Sequence, residues 1–134
     1  GGNGFIGKNV CTALQARHDV LALDKKCTGS RAQRVSVPIV QCDLTDEDAL
    51  AQVFAAHPID LIVHLASVLN TASSENPRLA SEINVGGSVN LFELATKFRV
   101  KRIVYGSSIT VYGSVAETVS RGVSEEYPAA PEDV

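Results

Sequence analysis

The sequence predicts an α/β fold built on a doubly wound parallel sheet. Three observations carry that expectation. Short apolar runs of strand length alternate with longer stretches of helical period. A glycine triplet, Gly1, Gly4 and Gly7, opens the first of those helices, and an acid, Asp24, closes the apolar run that follows it. Strands that alternate with helices are joined by crossovers, which make neighbouring strands parallel and cover both faces of the sheet. Ligands of such sheets bind beyond the carboxyl ends of the strands.

Residues 5–17 place Ile6, Val10 and Leu14 on one stripe, predicting an amphipathic helix. Val20 to Asp24 reads as a buried strand, and residues 25–36, with Gly29 and Ser30, as loop. Val37 to Cys42 is a second strand, its start near a sheet edge because Pro38 lacks an amide donor. Thr45 is the expected cap of a helix over 46–57, with Asp46, Glu47 and Asp48 in the dipole-favoured first turn and Leu50, Val53 and Phe54 facing inward. Ile59 to Leu65 is a third strand, and Ser67 to Asn76 a loop. Pro77 suits the first position of a long helix to about Phe98, with Ile83, Leu91, Leu94 and Ala95 in its core face. Arg102 to Tyr105 begins a fourth strand that runs into Gly106-Ser107-Ser108. The tail from about 114 is polar, carries Pro128 and Pro131, and reads as irregular.

The chain of 134 residues fits one domain, and its 45% apolar and 20% charged residues suit a globular core. A net charge of −3 gives no basic surplus to draw nucleic acid or an anionic membrane. The sequence holds no apolar run of the length a membrane span needs, and no secretory signal pattern. Cys11, Cys27 and Cys42 are odd in number and form no C-x-x-C pair. A disulfide framework or zinc site is therefore not expected, and a cytoplasmic setting is.

The triplet gives a chemical reading. Without Cβ atoms the backbone turns tightly and approaches a pyrophosphate closely, while the helix N-terminus offers free N–H groups and partial positive charge. Asp24 lies 17 residues beyond Gly7, where a carboxylate takes the ribose hydroxyls of an adenosine. It would repel a 2′-phosphate, which favours NAD over NADP, although the adjacent Lys25 and Lys26 oppose that preference.

With these segments in place the chain resembles the extended short-chain dehydrogenases/reductases, a superfamily of Rossmann-like folds. Within it the chain is most similar to the nucleoside-diphosphate-sugar epimerases of the NAD-dependent epimerase/dehydratase family. GGNGFIG (1–7), HDVLALD (18–24), CDLTD (42–46), HLAS (64–67), INVGGSVNLFELA (83–95) and YGSSITVYG (105–113) occur in family order, covering about residues 1–128. The resemblance implies a cofactor site of Gly1, Gly4, Phe5, Ile6, Gly7 and Asp24, with Asp43 and Leu44 at the adenine. It puts Leu65, Ala66 and Ser67 at the cofactor's inner half. It makes Asn84 a brace, Ser108 the catalytic hydroxyl and Ser107 its neighbour, with Tyr112 packed under the serine loop. His64 reads as a core histidine. Dehydratases carry Thr-Asp-Glu where this chain has Ser108-Ile109-Thr110, so an epimerase or reductase fits better. The implied partner is a nucleotide sugar or related small molecule, and the implied parent a homodimer. A non-catalytic dinucleotide-binding module is the remaining alternative.

The family pairs its serine with Tyr-x-x-x-Lys, in which the lysine lowers the tyrosine pKa so that it can move a hydroxyl proton. Residues four beyond Tyr105, Tyr112 and Tyr127 are Ile109, Ala116 and Pro131, so the motif is absent. No strand precedes Gly1 either. The expectation is therefore a partial NAD(P)-binding domain over 1–134, lacking its first strand and its C-terminal part. Alone, it is expected to be inactive and poorly stable.

Overall fold

The computed structural model describes residues 1–27, 37–68, 75–113 and 122–131. The expected loop at Gly29 and Ser30, much of the loop before Asn76 and the start of the tail lie outside them. The elements run α1 (Phe5–Leu14), β1 (Ala22–Asp24), β2 (Ile39–Gln41), α2 (Glu47–Ala56), β3 (Leu61–His64), α3 (Pro77–Ser81), a π-helical segment (Glu82–Gly86), α4 (Gly87–Lys97), β4 (Arg102–Tyr105) and a 3₁₀ turn (Ile109–Tyr112). The α/β class is as predicted.

The strands pair in parallel, β1 with β2 and β3 with β4, as two two-stranded sheets. Between the carboxyl ends of β1 and β3 lie Gly1 and Gly2. The Gly2 amide donates to Leu23 O at 2.9 Å. A Cβ on Gly1 would stand 2.7 Å from the backbone of Leu65 and Ala66.

Helices cover both faces. Cys11 of α1 packs with Ala22 and Val37 on one side. On the other, Leu50, Val53 and Phe54 of α2 meet Leu91, Leu94 and Ala95 of α4, with Leu21, Leu23, Val40, Ile62 and Ile103 against them. Ala22 and its neighbours Leu21 and Leu23 thus face opposite ways, as strand geometry requires. Both sheets feed the larger cluster, whose centre, Leu50, is fully buried.

Three local expectations are corrected. The inner face of α1 is Gly7 and Cys11, while Ile6 is 61% exposed. Gly7 holds that face because a Cβ there would overlap the Gly1 and Gly2 backbone, and Cys11 packs beside it against Ala22 and Val37. The cap of α2 is Asp46, which accepts from the Ala49 amide, and not Thr45, whose hydroxyl donates to Asp43. The long helix from Pro77 exists, capped by the Asn76 side chain, but its middle is wound as a π segment. Such widened turns frequently mark functional sites.

Candidate cofactor site

The glycine loop closes on itself through Gly4 N–H donating to Gly1 O at 3.1 Å. A Cβ at Gly7 would overlap the Gly1 carbonyl oxygen and come within 2.8 Å of the Gly2 backbone. Only a residue without a side chain lets the helix start this close to the turn. Gly4 caps α1 without a side-chain bond, so the amides of the first turn face the loop with no capping oxygen. Phe5 and Ile6 stand exposed there. This cradle fits a dinucleotide pyrophosphate: its concavity is backbone, and added side chains would fill it.

Asp24 ends β1 with both carboxylate oxygens held. Asn3 N–H donates to Oδ2 and Lys26 N–H to Oδ1, each at 3.0 Å. Asn3 also donates through Nδ2 to Lys26 O at 2.7 Å, tying the glycine loop to the segment after β1. Its buried Oδ1 has no partner among the described residues. Asn3 was missed by the sequence reading; its signal was an amide side chain set among three glycines.

The β1–β2 register sets Asp24 opposite Gln41, which brings the residues beyond both strands side by side. Lys25 Nζ meets Asp43 Oδ2 at 2.7 Å. Asp43 Oδ1 accepts from Thr45 N–H at 3.1 Å and Thr45 Oγ1 at 3.0 Å. The Lys25 ammonium, with help from Thr45, holds the Asp43 carboxyl below the usual carboxylate range. Leu44 is pinned from α4: Asn90 Nδ2 donates to its carbonyl at 3.0 Å, and Gly87 approaches its Cβ so closely that a side chain there would collide.

Beyond β3, Leu65 and Ala66 are half-buried and Ser67 is exposed. Asn84, inside the π segment, clamps this stretch. Val68 N–H donates to Asn84 Oδ1 at 2.7 Å, and Asn84 Nδ2 donates to Val68 O at 3.2 Å. The Asn84 carbonyl in turn accepts from Ser88 Oγ at 2.6 Å, and Ser88 Oγ lies 2.9 Å from His64 Nε2. With its own proton given to Asn84, the serine oxygen accepts from Nε2–H, which fixes a neutral imidazole in that tautomer. His64 is buried, with the rings of Tyr105 and Phe92 around it.

Desolvation lowers the His64 pKa from its ordinary value. The unfolded chain then binds a proton that the folded one does not, so stability is full above about pH 6.5 and falls as pH drops below it. Denaturant titrations between about pH 7.5 and 5 are expected to show this decline and its weakening in His64→Gln. An unchanged slope in the variant would assign the decline to another group.

Gly106 N–H donates to His64 O at 3.0 Å and carries β4 into the serines. Ser107 and Ser108 are both exposed. Ser108 caps the 3₁₀ turn: its Oγ accepts from Thr110 N–H at 3.3 Å and lies 2.7 Å from Thr110 Oγ1. Tyr112 ends that turn with its ring edge-on to Tyr127 at 5.9 Å, and Ala130 N–H donates to Val111 O. The tail thus folds back on the turn. The three cysteines are free. Among the described residues no group of three His, Cys, Asp or Glu is placed to hold a metal, and no helix is long and apolar enough to cross a membrane.

Residues 1–133 match the NAD dependent epimerase/dehydratase family. The chain belongs to that family. Among similar members, a UDP-glucose 4-epimerase of Schizosaccharomyces pombe is 36% identical over 124 residues, covering 84% of this chain and 35% of the relative. The Lacticaseibacillus casei UDP-glucose 4-epimerase is 34% identical over 134 residues, covering 98% and 40%. In structure, the chain is similar to the Thermus thermophilus UDP-glucose 4-epimerase solved with NAD, with a TM-score of 0.83 and 32% identity over 98% of this chain and 43% of that one. The Bifidobacterium longum enzyme, solved with NAD+ and UDP, gives a TM-score of 0.80 at 28% identity, covering 96% and 41%. This epimerase/dehydratase-family chain therefore spans roughly two fifths of the length of those relatives. The relatives are enzymes of a family whose chemistry depends on NAD.

Proposed function

We propose that residues 1–134 are part of the NAD-binding domain of a nucleotide-sugar epimerase. One observation carries the reading: the glycine cradle, Asp24, the Asn84-clamped segment and Ser108 all stand at the carboxyl ends of parallel strands. The cradle of Gly1, Gly4 and Gly7, with the first turn at Phe5 and Ile6, binds the pyrophosphate through amides. Asp24 takes the adenosine ribose hydroxyls. Asp43 and Leu44 border the adenine, and Leu65, Ala66 and Ser67, braced by Asn84, border the inner half. NAD, when bound, supplies the hydride acceptor. Ser108, with Ser107 beside it, hydrogen-bonds and aligns the reacting sugar oxygen. The nucleotide sugar is inferred from the relatives, two of which are solved with UDP or UDP-glucose.

A dehydrogenase is the second reading, because an L-threonine 3-dehydrogenase structure is also similar, with a TM-score of 0.75 at 28% identity over 85% of this chain. Turnover separates the two: an epimerase interconverts sugars with no net cofactor reduction, whereas a dehydrogenase accumulates reduced cofactor.

Asp24→Ala tests the cofactor assignment in the full-length protein. Removing the carboxylate deletes an acceptor for the ribose and also a repulsion toward a 2′-phosphate. NAD affinity is expected to fall more than NADP affinity in calorimetric titrations of both proteins. Equal losses would remove Asp24 from the ribose site.

A further inference from the structure

Two lysines follow the proposed ribose acid, and either could offset its repulsion of a 2′-phosphate. The side chain of the first is already committed. Lys25 reaches across the strand ends to Asp43 at 2.7 Å, and Asp43 is itself fixed by two bonds from Thr45. The backbone beside it is fixed as well. Lys26 N–H holds Asp24, and Asn3 holds Lys26 O. Lys25 is therefore anchored at both ends, by a braced main chain and by an acid on the neighbouring strand's extension. We propose that the Lys25–Asp43 ion pair is a cofactor-selectivity device that keeps the Lys25 ammonium off the edge guarded by Asp24. The carboxylate of Asp24 then sets the charge there unopposed by Lys25. This rests on the dinucleotide reading of the site.

The pair is solvent-exposed, with Lys25 60% and Asp43 28% accessible, so its effect is modest in size. What it changes is geometry. A lysine released from Asp43 is a flexible cation next to an anion site, free to meet a phosphate.

A double-mutant cycle in the full-length protein tests this, with NAD and NADP affinities measured by calorimetry for wild type, Asp43→Asn, Lys25→Met and the double variant. Asparagine keeps an oxygen for Thr45 while giving up the ion pair. In Asp43→Asn the NAD-to-NADP affinity ratio is expected to fall about three- to fivefold. Lys25→Met alone is expected to leave the ratio within about twofold, and the double variant to return it to the Lys25→Met value. Simple addition of charges predicts otherwise: Lys25→Met would shift the ratio equally in both backgrounds, and that result overturns the device. A fall that persists in the double variant also overturns it, by assigning the change to the adenine contact of Asp43. A protein that binds neither dinucleotide sinks the proposed function and the device together, whereas one that binds NAD but keeps its ratio in Asp43→Asn sinks only the device. Carboxyl NMR gives a readout without cofactor. The Asp43 carboxyl is expected to titrate below the usual range in wild type and higher in Lys25→Met, and identical titrations would show the pair absent in solution.

Discussion

Gly7→Ala in the full-length protein is expected to cost about 100-fold in NAD affinity. The added methyl meets the Gly1 carbonyl and the Gly2 backbone, atoms that no rotamer change can move aside. Overpacking of this kind costs about 1–3 kcal/mol, and contact with backbone on both counts places Gly7 at the upper end. Each 1.4 kcal/mol is about tenfold in binding. The loop can relieve the clash only by drawing away from the start of α1, which opens the cradle. Titration calorimetry reads the loss, and circular dichroism of the same sample checks that the fold survives. An affinity equal to wild type would take Gly7 out of the cradle.

The second large effect belongs to Ser108. Ser108 Oγ, the hydroxyl proposed to align the reacting oxygen, accepts from Thr110 N–H and lies 2.7 Å from Thr110 Oγ1, where either hydroxyl can donate. Ser108→Ala is then expected to lower kcat by about 10²–10³ with little change in NAD affinity. Because the side chain also caps the 3₁₀ turn, part of any loss could come from a loosened turn. Ser108→Thr separates the two, since it keeps the hydroxyl and the cap. Undiminished turnover in Ser108→Ala would shift the role to Ser107 or argue for a binding module.

Much of the architecture was legible because it rests on period and punctuation. β4 is found at Arg102–Tyr105 as read, and Leu50, Val53 and Phe54 form the buried face of α2. Failures occurred where two residues competed for one job or where the answer lay elsewhere in the chain. Thr45 and Asp46 are both good caps, and Asp43 decided between them by taking the threonine hydroxyl. Ile6 satisfied the helical stripe, yet α1 turns Gly7 to the glycine turn and Cys11 to Ala22, and leaves Ile6 exposed. The π segment carries no residue signature, so a continuous helix was the natural expectation. At the site, the glycines and Asp24 stood out locally, whereas Lys25 and Asp43 become neighbours only through the parallel pairing of β1 with β2. The link from His64 through Ser88 to Asn84 likewise needs a strand packed beneath a helix.

Among the described residues the two sheets share no ladder, yet they share one apolar cluster. Within residues 1–134 this decides how cooperativity passes between the two strand pairs. Backbone hydrogen bonds bind each pair of strands internally, while Leu50, Leu91 and Leu94 join the pairs through contacts that have no preferred direction. Such a joint holds only while its side chains stay in register, since a gap of about 0.5–1 Å forfeits a quarter to a half of each contact's attraction. The glycine turn sits across that joint, held to Leu23 on one side and crowded by Leu65 and Ala66 on the other. A ligand gripped by the turn would thereby couple the two strand pairs, and protection of their amides against solvent exchange would rise together.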